Sequence, residues 1–198
     1  MSTQVEFWFD ATCPWTWITS RWVTEVADAR DFTVTWRPFS LAILNEGKDI
    51  SEEYRAHVEE GRETALVAMK IAQLEGNEKL GEFYTALGQA IHEDRRPVGR
   101  EILAEVLAAL GEGSEYLNDA AHYAAALRDS VAAGLALVGD EVGVPIISFD
   151  GTAFFGPVIS PAPHGEAALA LWDGCLALAR TPGFFELKRS RTTGPIFS

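Results

Sequence analysis

Phe9-Asp10-Ala11-Thr12-Cys13-Pro14-Trp15-Thr16-Trp17 joins an apolar run to an amphipathic one. The run before it, Val5-Glu6-Phe7-Trp8-Phe9, shows little polar alternation, which predicts a central strand over residues 4–9, buried on both faces. After it, Trp15, Ile18, Trp22 and Val26 recur at three and four residues, one face of a helix that residues 28–31 end. Cys13 therefore stands where a strand gives way to a helix. The free N–H groups of a first helical turn and the helix dipole favour negative charge there, which predicts a lowered thiol pKa and a nucleophilic thiolate. Pro14 fits that turn, because the N–H it lacks would have had no partner. The plain alternative for Cys13 is a small buried hydrophobe.

Outward from this junction, Phe32-Thr33-Val34-Thr35-Trp36-Arg37-Pro38-Phe39 alternates and is rich in β-branched and aromatic residues, a second strand. Strand, helix, strand in forty residues is most economically a parallel pair with a helical crossover. Leu41-Ala42-Ile43-Leu44-Asn45-Glu46-Gly47 reads as a connecting loop or short helix. From Ser51 to about Gly139 no strand pattern occurs. Ser51, with Glu52 and Glu53 in the first turn, opens a helix that Leu66, Met69 and Ala72 carry on to Glu75-Gly76-Asn77. Further helices follow around Leu80, Phe83, Leu87 and Ile91, around Ile102, Val106 and Leu110, and around Leu127, Val131 and Leu135. Strand signal returns in Ile146-Ile147-Ser148-Phe149 and Thr152-Ala153-Phe154-Phe155, with Asp150-Gly151 between them as a hairpin turn. Ala168, Leu169, Trp172, Leu176 and Ala179 mark a last helix, and the end from Arg180 reads as a solvated tail able to fold over a neighbour. The expected organisation is an α/β domain from residues 1–45 and 140–198, interrupted by a helical subdomain over 46–139.

The chain has 198 residues, 47% hydrophobic, with six Trp and eleven Phe, enough for a substantial core. Its formal net charge of -13 argues against nucleic acid or an anionic membrane as partner. No apolar stretch approaches the ~18 residues of a membrane span, and no signal-peptide pattern opens the chain, so a cytoplasmic location is expected. Cys13 and Cys175 are the only cysteines, too few for a disulfide scaffold or a thiolate metal site. The histidines, His57, His92, His122 and His164, show no ligand spacing, and no Gly-rich nucleotide fingerprint follows a strand. No metal and no tightly bound cofactor are expected.

The order strand, Cys-Pro-x-x at a helix start, strand, long helical block, Val-Pro, hairpin, helix resembles the DsbA family of thioredoxin-fold proteins. Cys13-Pro14-Trp15-Thr16 and Val144-Pro145 carry that resemblance. It implies an α/β thioredoxin fold with a large all-helical insertion, and a cis Pro145 facing the cysteine. Val144 would then offer backbone groups to an extended ligand. The alternative for Pro145 is a trans proline opening an edge strand. The stretch from Asp10 to Trp22, with Ser40-Leu41-Ala42-Ile43-Leu44-Asn45-Glu46 and Ser51-Glu52-Glu53-Tyr54-Arg55, is similar to the actinobacterial, mycothiol-dependent reductases. Those use a Cys-Pro-Trp-Cys motif, reduce nitro compounds or disulfides, and take electrons from mycothiol. The resemblance implies that Pro14, Trp15, Asn45 and Tyr54 line the pocket near the sulfur. The plain readings are a core aromatic for Trp15, a turn residue for Asn45 and a helix-surface tyrosine for Tyr54.

The second cysteine of that motif is Thr16 here. Cys175 lies between Leu171 and Leu178 on an apolar helix face, a core position, and does not obviously replace it. A local disulfide at Cys13 is therefore excluded, and a monothiol enzyme becomes the leading expectation. Cys13 would attack a disulfide, and a second low-molecular-weight thiol such as mycothiol would resolve the adduct. Thr16 either donates its hydroxyl to the sulfur or caps the helix locally. An electron route from one cysteine to a nitro group is not traceable, which favours disulfide chemistry. The competing class is a thiol-dependent transferase or isomerase, like the kappa-class glutathione transferases and chromene-carboxylate isomerases, which share this layout but carry Ser at the position of Cys13. A non-catalytic binding protein ranks last. His92, in Ile91-His92-Glu93-Asp94-Arg95-Arg96, is the histidine most suited to substrate binding. Arg95 and Arg96 could hold a substrate carboxylate, but the leading expectation is that they pair with Glu93 and Asp94. The expected partners are a small-molecule thiol and a disulfide or electrophilic substrate, with the chain a monomer or homodimer.

Overall fold

The computed structural model describes residues 3–197. Four strands form one sheet in the order β2-β1-β3-β4: β1 (Val5–Phe9), β2 (Val34–Pro38), β3 (Ile146–Phe149) and β4 (Thr152–Phe155). β1 pairs parallel with β2 and antiparallel with β3, and β3 pairs antiparallel with β4. The apolar run of β1 is thus explained by its central place, with Phe7 and Phe9 fully buried. The β3–β4 turn places Asp150 at φ 53° and Gly151 at φ 91°, the left-handed pair that matches the twist of a two-residue hairpin. This is the thioredoxin fold with a helical insertion, and among the described residues eight α-helices accompany the sheet.

Helix α1 (Pro14–Arg30) is the crossover between β1 and β2. It ends at Asp31, whose left-handed backbone (φ 53°, ψ 57°) closes the last turn onto Ala27 O. Trp22 lies fully buried on its inner face and donates its indole N–H to Ala168 O at 3.0 Å, fastening α1 to α8 (Gly165–Ala179). Trp172 of α8 packs against Trp22, Phe32 and Phe149. These rings belong to a large apolar cluster that also takes in Val5, Phe7 and Phe9 of β1.

Between β2 and β3 run α2 (Leu41–Leu44), α3 (Glu52–Glu60), α4 (Arg62–Leu74), α5 (Asn77–Gly88), α6 (Arg100–Ala109) and α7 (Ala124–Val138). The continuous helix expected from Ser51 to about Glu75 is instead two helices that meet at Gly61. A β-carbon there would lie 2.7 Å from Thr12 Oγ1 and 3.4 Å from Asp10 Oδ1, so the junction is where the insertion touches the cysteine loop. The hydrophobic period runs through both helices, and only this tertiary approach marks the break. The insertion also covers the open edge of β2. Asn77 accepts from Trp36 N at 2.7 Å and donates to Val34 O at 2.8 Å, standing in for a strand partner. Lys70 is buried, with its ammonium donating to Glu115 O and Asn118 O at 2.9 and 3.0 Å. Arg96 pairs with Glu105 on α6, not with Glu93 or Asp94, because the chain reverses between Asp94 and Gly99 and turns Arg96 toward the next helix. Among the described residues no helix is long and apolar enough to cross a membrane.

Gly88 shows how tightly the insertion fits against α1. A β-carbon at this position would sit 2.2 Å from the ring of Trp17, which is itself buried. Gly88→Ala gains about 1 kcal/mol of helix propensity but drives that ring into its neighbours. We expect a net loss of about 1–3 kcal/mol, read as a lowered urea midpoint with an unchanged denaturant slope.

Candidate active site

Cys13 is the residue that precedes α1, with extended backbone (φ -82°, ψ 114°) and Pro14 in the first turn. Its own N–H donates to Asp10 O at 3.0 Å, and its carbonyl accepts from Trp17 N at 3.0 Å. The thiol faces the carbonyl oxygen of Val144, 3.9 Å away. The Val144–Pro145 peptide is cis. The chain thus returns, 131 residues on, to set the Val-Pro loop against the nucleophile loop. The walls around the sulfur come from a second apolar cluster that includes Trp8, Phe39, Val144 and Ile146, with Trp15 packed against it.

Cys13 is only 8% exposed, and this changes its electrostatics from the sequence expectation. Burial pushes the thiol above its ordinary range. The Thr16 hydroxyl and the N–H groups of Thr16 and Trp15 pull it back down, while the Asp10 carboxylate pushes it up. The lowered pKa expected from the helix N-terminus is therefore outweighed by desolvation, and the resting site holds a protonated thiol. Its proton is held more tightly in the folded than in the unfolded chain. Its contribution to stability is thus complete below the unfolded value of about 8.5 and is lost as pH rises through the folded one.

Thr16 is fully buried, and its hydroxyl has no hydrogen-bond partner among the described residues. It does not cap the helix. Among the groups that favour the thiolate at Cys13, its hydroxyl has the largest effect. A hydrogen bond to a charged group contributes about 1.5–3 kcal/mol. We therefore expect Thr16→Val to move the inflection of the Cys13 alkylation profile up by about one to two pH units, with Thr16→Ser close to the parent chain. A pH series of alkylation rates, followed by peptide mass, checks this.

Asp10 is the site residue that sequence reasoning passed over. It is 1% exposed. One carboxylate oxygen accepts from Thr12 N and Thr12 Oγ1 at 2.9 and 2.7 Å, and the other accepts from Leu41 N at 2.8 Å. It thereby folds the loop before Cys13 and ties it to the start of α2, which Ser40 caps. Burial raises its pKa, and the hydrogen bonds from Leu41 and Thr12, with a smaller contribution from the charge of His57, lower it. An Asp two residues before a Thr, at the end of an apolar strand, is the Asx-turn signal that could have found it.

The remaining expected residues fall at different depths. Asn45 ends α2 and donates Nδ2 to Leu41 O at 2.7 Å, a capping bond within its own turn. Tyr54 on α3 is 42% exposed; burial raises its phenol, as do the charges of Cys13 and Asp10, so it looks onto the site from the insertion. His92 does not reach the sulfur. A π-helical turn at Gln89–Glu93 carries it inward, where Nε2 lies 2.8 Å from Ala11 O. A carbonyl can only accept, so the Nε2 proton is fixed there. The ring stacks on Trp17, and burial lowers its pKa. His92 thus holds the cysteine loop from the insertion side. Cys175 packs half-buried against the large cluster, not the one around Cys13, and burial lifts its thiol to about 11. Both cysteines are free.

A family model described as Rv2466c-like, mycothiol-dependent nitroreductase Rv2466c, matches residues 12–189. The chain belongs to this family. The uncharacterized protein Rv2286c of Mycobacterium tuberculosis is 28% identical over 197 residues, which cover 98% of this chain and 85% of that protein. A probable DsbA oxidoreductase of Streptomyces coelicolor, SCO1869, shares the fold with a TM-score of 0.59 at 20% identity, covering 98% of this chain and 97% of that one. A 2-hydroxychromene-2-carboxylate isomerase is similar at a TM-score of 0.57 and 14% identity, over 87% of this chain and 94% of its own. The Rv2466c-like family and its DsbA-like fold support thiol oxidoreductase chemistry in general.

Proposed function

We propose that this Rv2466c-like protein is a monothiol oxidoreductase in which Cys13 is the nucleophile and Thr16 assists it. The observation that carries the reading is a thiol 3.9 Å from the carbonyl before a cis proline, with a buried, unpartnered hydroxyl where a resolving thiol would stand. Cys13 loses its proton to solvent, and its thiolate attacks a disulfide RS–SR′. The Cys13–S–S–R bond forms, and R′S⁻ leaves and takes up a proton. A second small thiol, R″S⁻, then attacks the R sulfur, releasing R–S–S–R″ and the Cys13 thiolate. One S–S bond breaks and one forms at each step, so electrons balance. Membership of a mycothiol-dependent family supports mycothiol, or a similar low-molecular-weight thiol, as that co-substrate. The Val144 and Pro145 backbone, Pro14, Trp15 and Tyr54 bind the thiol or substrate, and Asn45 and His92 shape the loops that carry them. Residues 46–139 act as a helical subdomain over a thioredoxin-like domain, in the cytoplasm.

A high-pKa thiol is the more nucleophilic once ionised and the poorer leaving group. The Cys13 mixed disulfide should therefore persist long enough for intact mass to record it after exposure to a small disulfide. Absence of any adduct on Cys13 would overturn the reading. It would favour a transferase or isomerase in which a neutral Cys13 only hydrogen-bonds the cofactor's sulfur, a role its buried, protonated thiol also suits.

A further inference from the structure

Residues 180–197 form no regular element, yet specific contacts hold them against the fold beside Trp15 and His92. Phe184 meets Phe154 of β4 edge-on at 5.7 Å. The guanidinium of Arg191 lies 4.8 Å from the ring centroid of Trp15. Ser160 Oγ then fixes the backbone on both sides of the next turn, donating to Gly194 O and accepting from Ile196 N, each at 2.9 Å. Phe197 reaches the ring of His92 at 5.5 Å, and with Ile196 it closes a small void against Trp17, Ile18, Arg21 and Ala162. Between these anchors the tail is solvated, with Phe185 and Leu187 more than 80% exposed. The tail thus runs from the sheet edge, over the tryptophan two residues from the nucleophile, to the turn that holds the nucleophile loop.

An extended polypeptide would present a disulfide to Cys13 by lying along the backbone before the cis proline. Trp15 packs against the cluster that contains both Val144 and Cys13, so it forms the rim of that track. The chain's own tail lies on this rim. We propose that residues 188–197 are a specificity strap that confines Cys13 to low-molecular-weight thiols and disulfides and excludes protein-borne ones. The proposal rests on Cys13 as the reacting thiol and names the substrate class for that site. Its contacts are few and mostly exposed, so the strap holds by small increments and opens without unfolding the core.

The test compares alkylation by N-ethylmaleimide and by a maleimide carrying a protein-sized polyethylene glycol. Each is followed by peptide mass at Cys13, with Cys175 as internal reference. Three chains are used: the full chain, a chain ending at Leu187, and Arg191→Ala/Phe197→Ala. The ratio of bulky to small reagent rates at Cys13 should rise about tenfold in the double variant, the scale of one exposed cation–π contact plus one aromatic pair. It should rise further in the shortened chain, with Cys175 unchanged. An unchanged ratio at Cys13 overturns the strap and leaves the nucleophile reading intact. A parallel rise at Cys175 overturns it too, as general loosening. Cys13 inert to both reagents in all three chains overturns the strap and the nucleophile reading together. A strap effect without any mixed disulfide overturns the nucleophile reading, and with it the strap's assignment to thiols and disulfides.

Discussion

Cys13→Ser abolishes the mixed disulfide and lowers thiol–disulfide exchange at least about a thousandfold, since a hydroxyl cannot form the S–S bond and loss of a nucleophile usually costs more than this. The fold should survive, because serine is nearly isosteric and Val144 O can accept from its hydroxyl as it faces the thiol now. The measurement is a steady-state assay with a mixed disulfide of a small thiol, with intact mass on the same samples. The two functional classes part at this variant. A monothiol oxidoreductase loses its activity. An enzyme that uses the sulfur of a bound cofactor thiol keeps much of it, because serine still supplies a hydrogen bond. Cys175→Ser serves as the control and should leave exchange unchanged, since Cys175 packs in the other apolar cluster.

Thr16→Cys is the complementary change, and it should convert the mechanism. Position 16 lies one helical turn from Cys13 and is fully buried beside it, so a thiol there meets the adduct sulfur without diffusion. Intramolecular attack by a well-placed group outruns a free thiol by orders of magnitude. The steady-state mixed disulfide should accordingly fall at least about a hundredfold. In its place a disulfide joins Cys13 to the introduced thiol, visible in the intact mass as the loss of a pair of hydrogens. Equal accumulation of the mixed disulfide in both chains would mean that Thr16 does not occupy the resolving position. Together the two variants separate the roles of the nucleophile and of its neighbour three residues on.

Much of the architecture was legible because period and punctuation agree along the chain. The apolar run at Val5–Phe9, the alternation around Trp36, the Asp150-Gly151 turn and the stripe through Trp172 each name their element from local pattern alone. Cys13 at a strand-to-helix junction was legible for the same reason. The break at Gly61 was not, because the helical period continues through it and only the approach of Thr12 demands a residue without a side chain. Nor was the place of His92, since nothing local marks a π-helical turn that swings a ring toward Ala11.

Order and spacing along the chain were enough to establish three things. A cysteine opens the first helix, Thr16 stands where a resolving thiol would follow it, and a helical block separates two halves of one sheet. How charged the sulfur is at rest depended on packing. The helix terminus argued for a thiolate, but enclosure by the walls around Trp8, Phe39 and Val144 makes desolvation the larger effect. Local spacing cannot report how many distant residues exclude water from one atom. The course of the tail was likewise beyond the sequence, because its few anchors at Trp15, Ser160 and His92 are long-range contacts with no local signature.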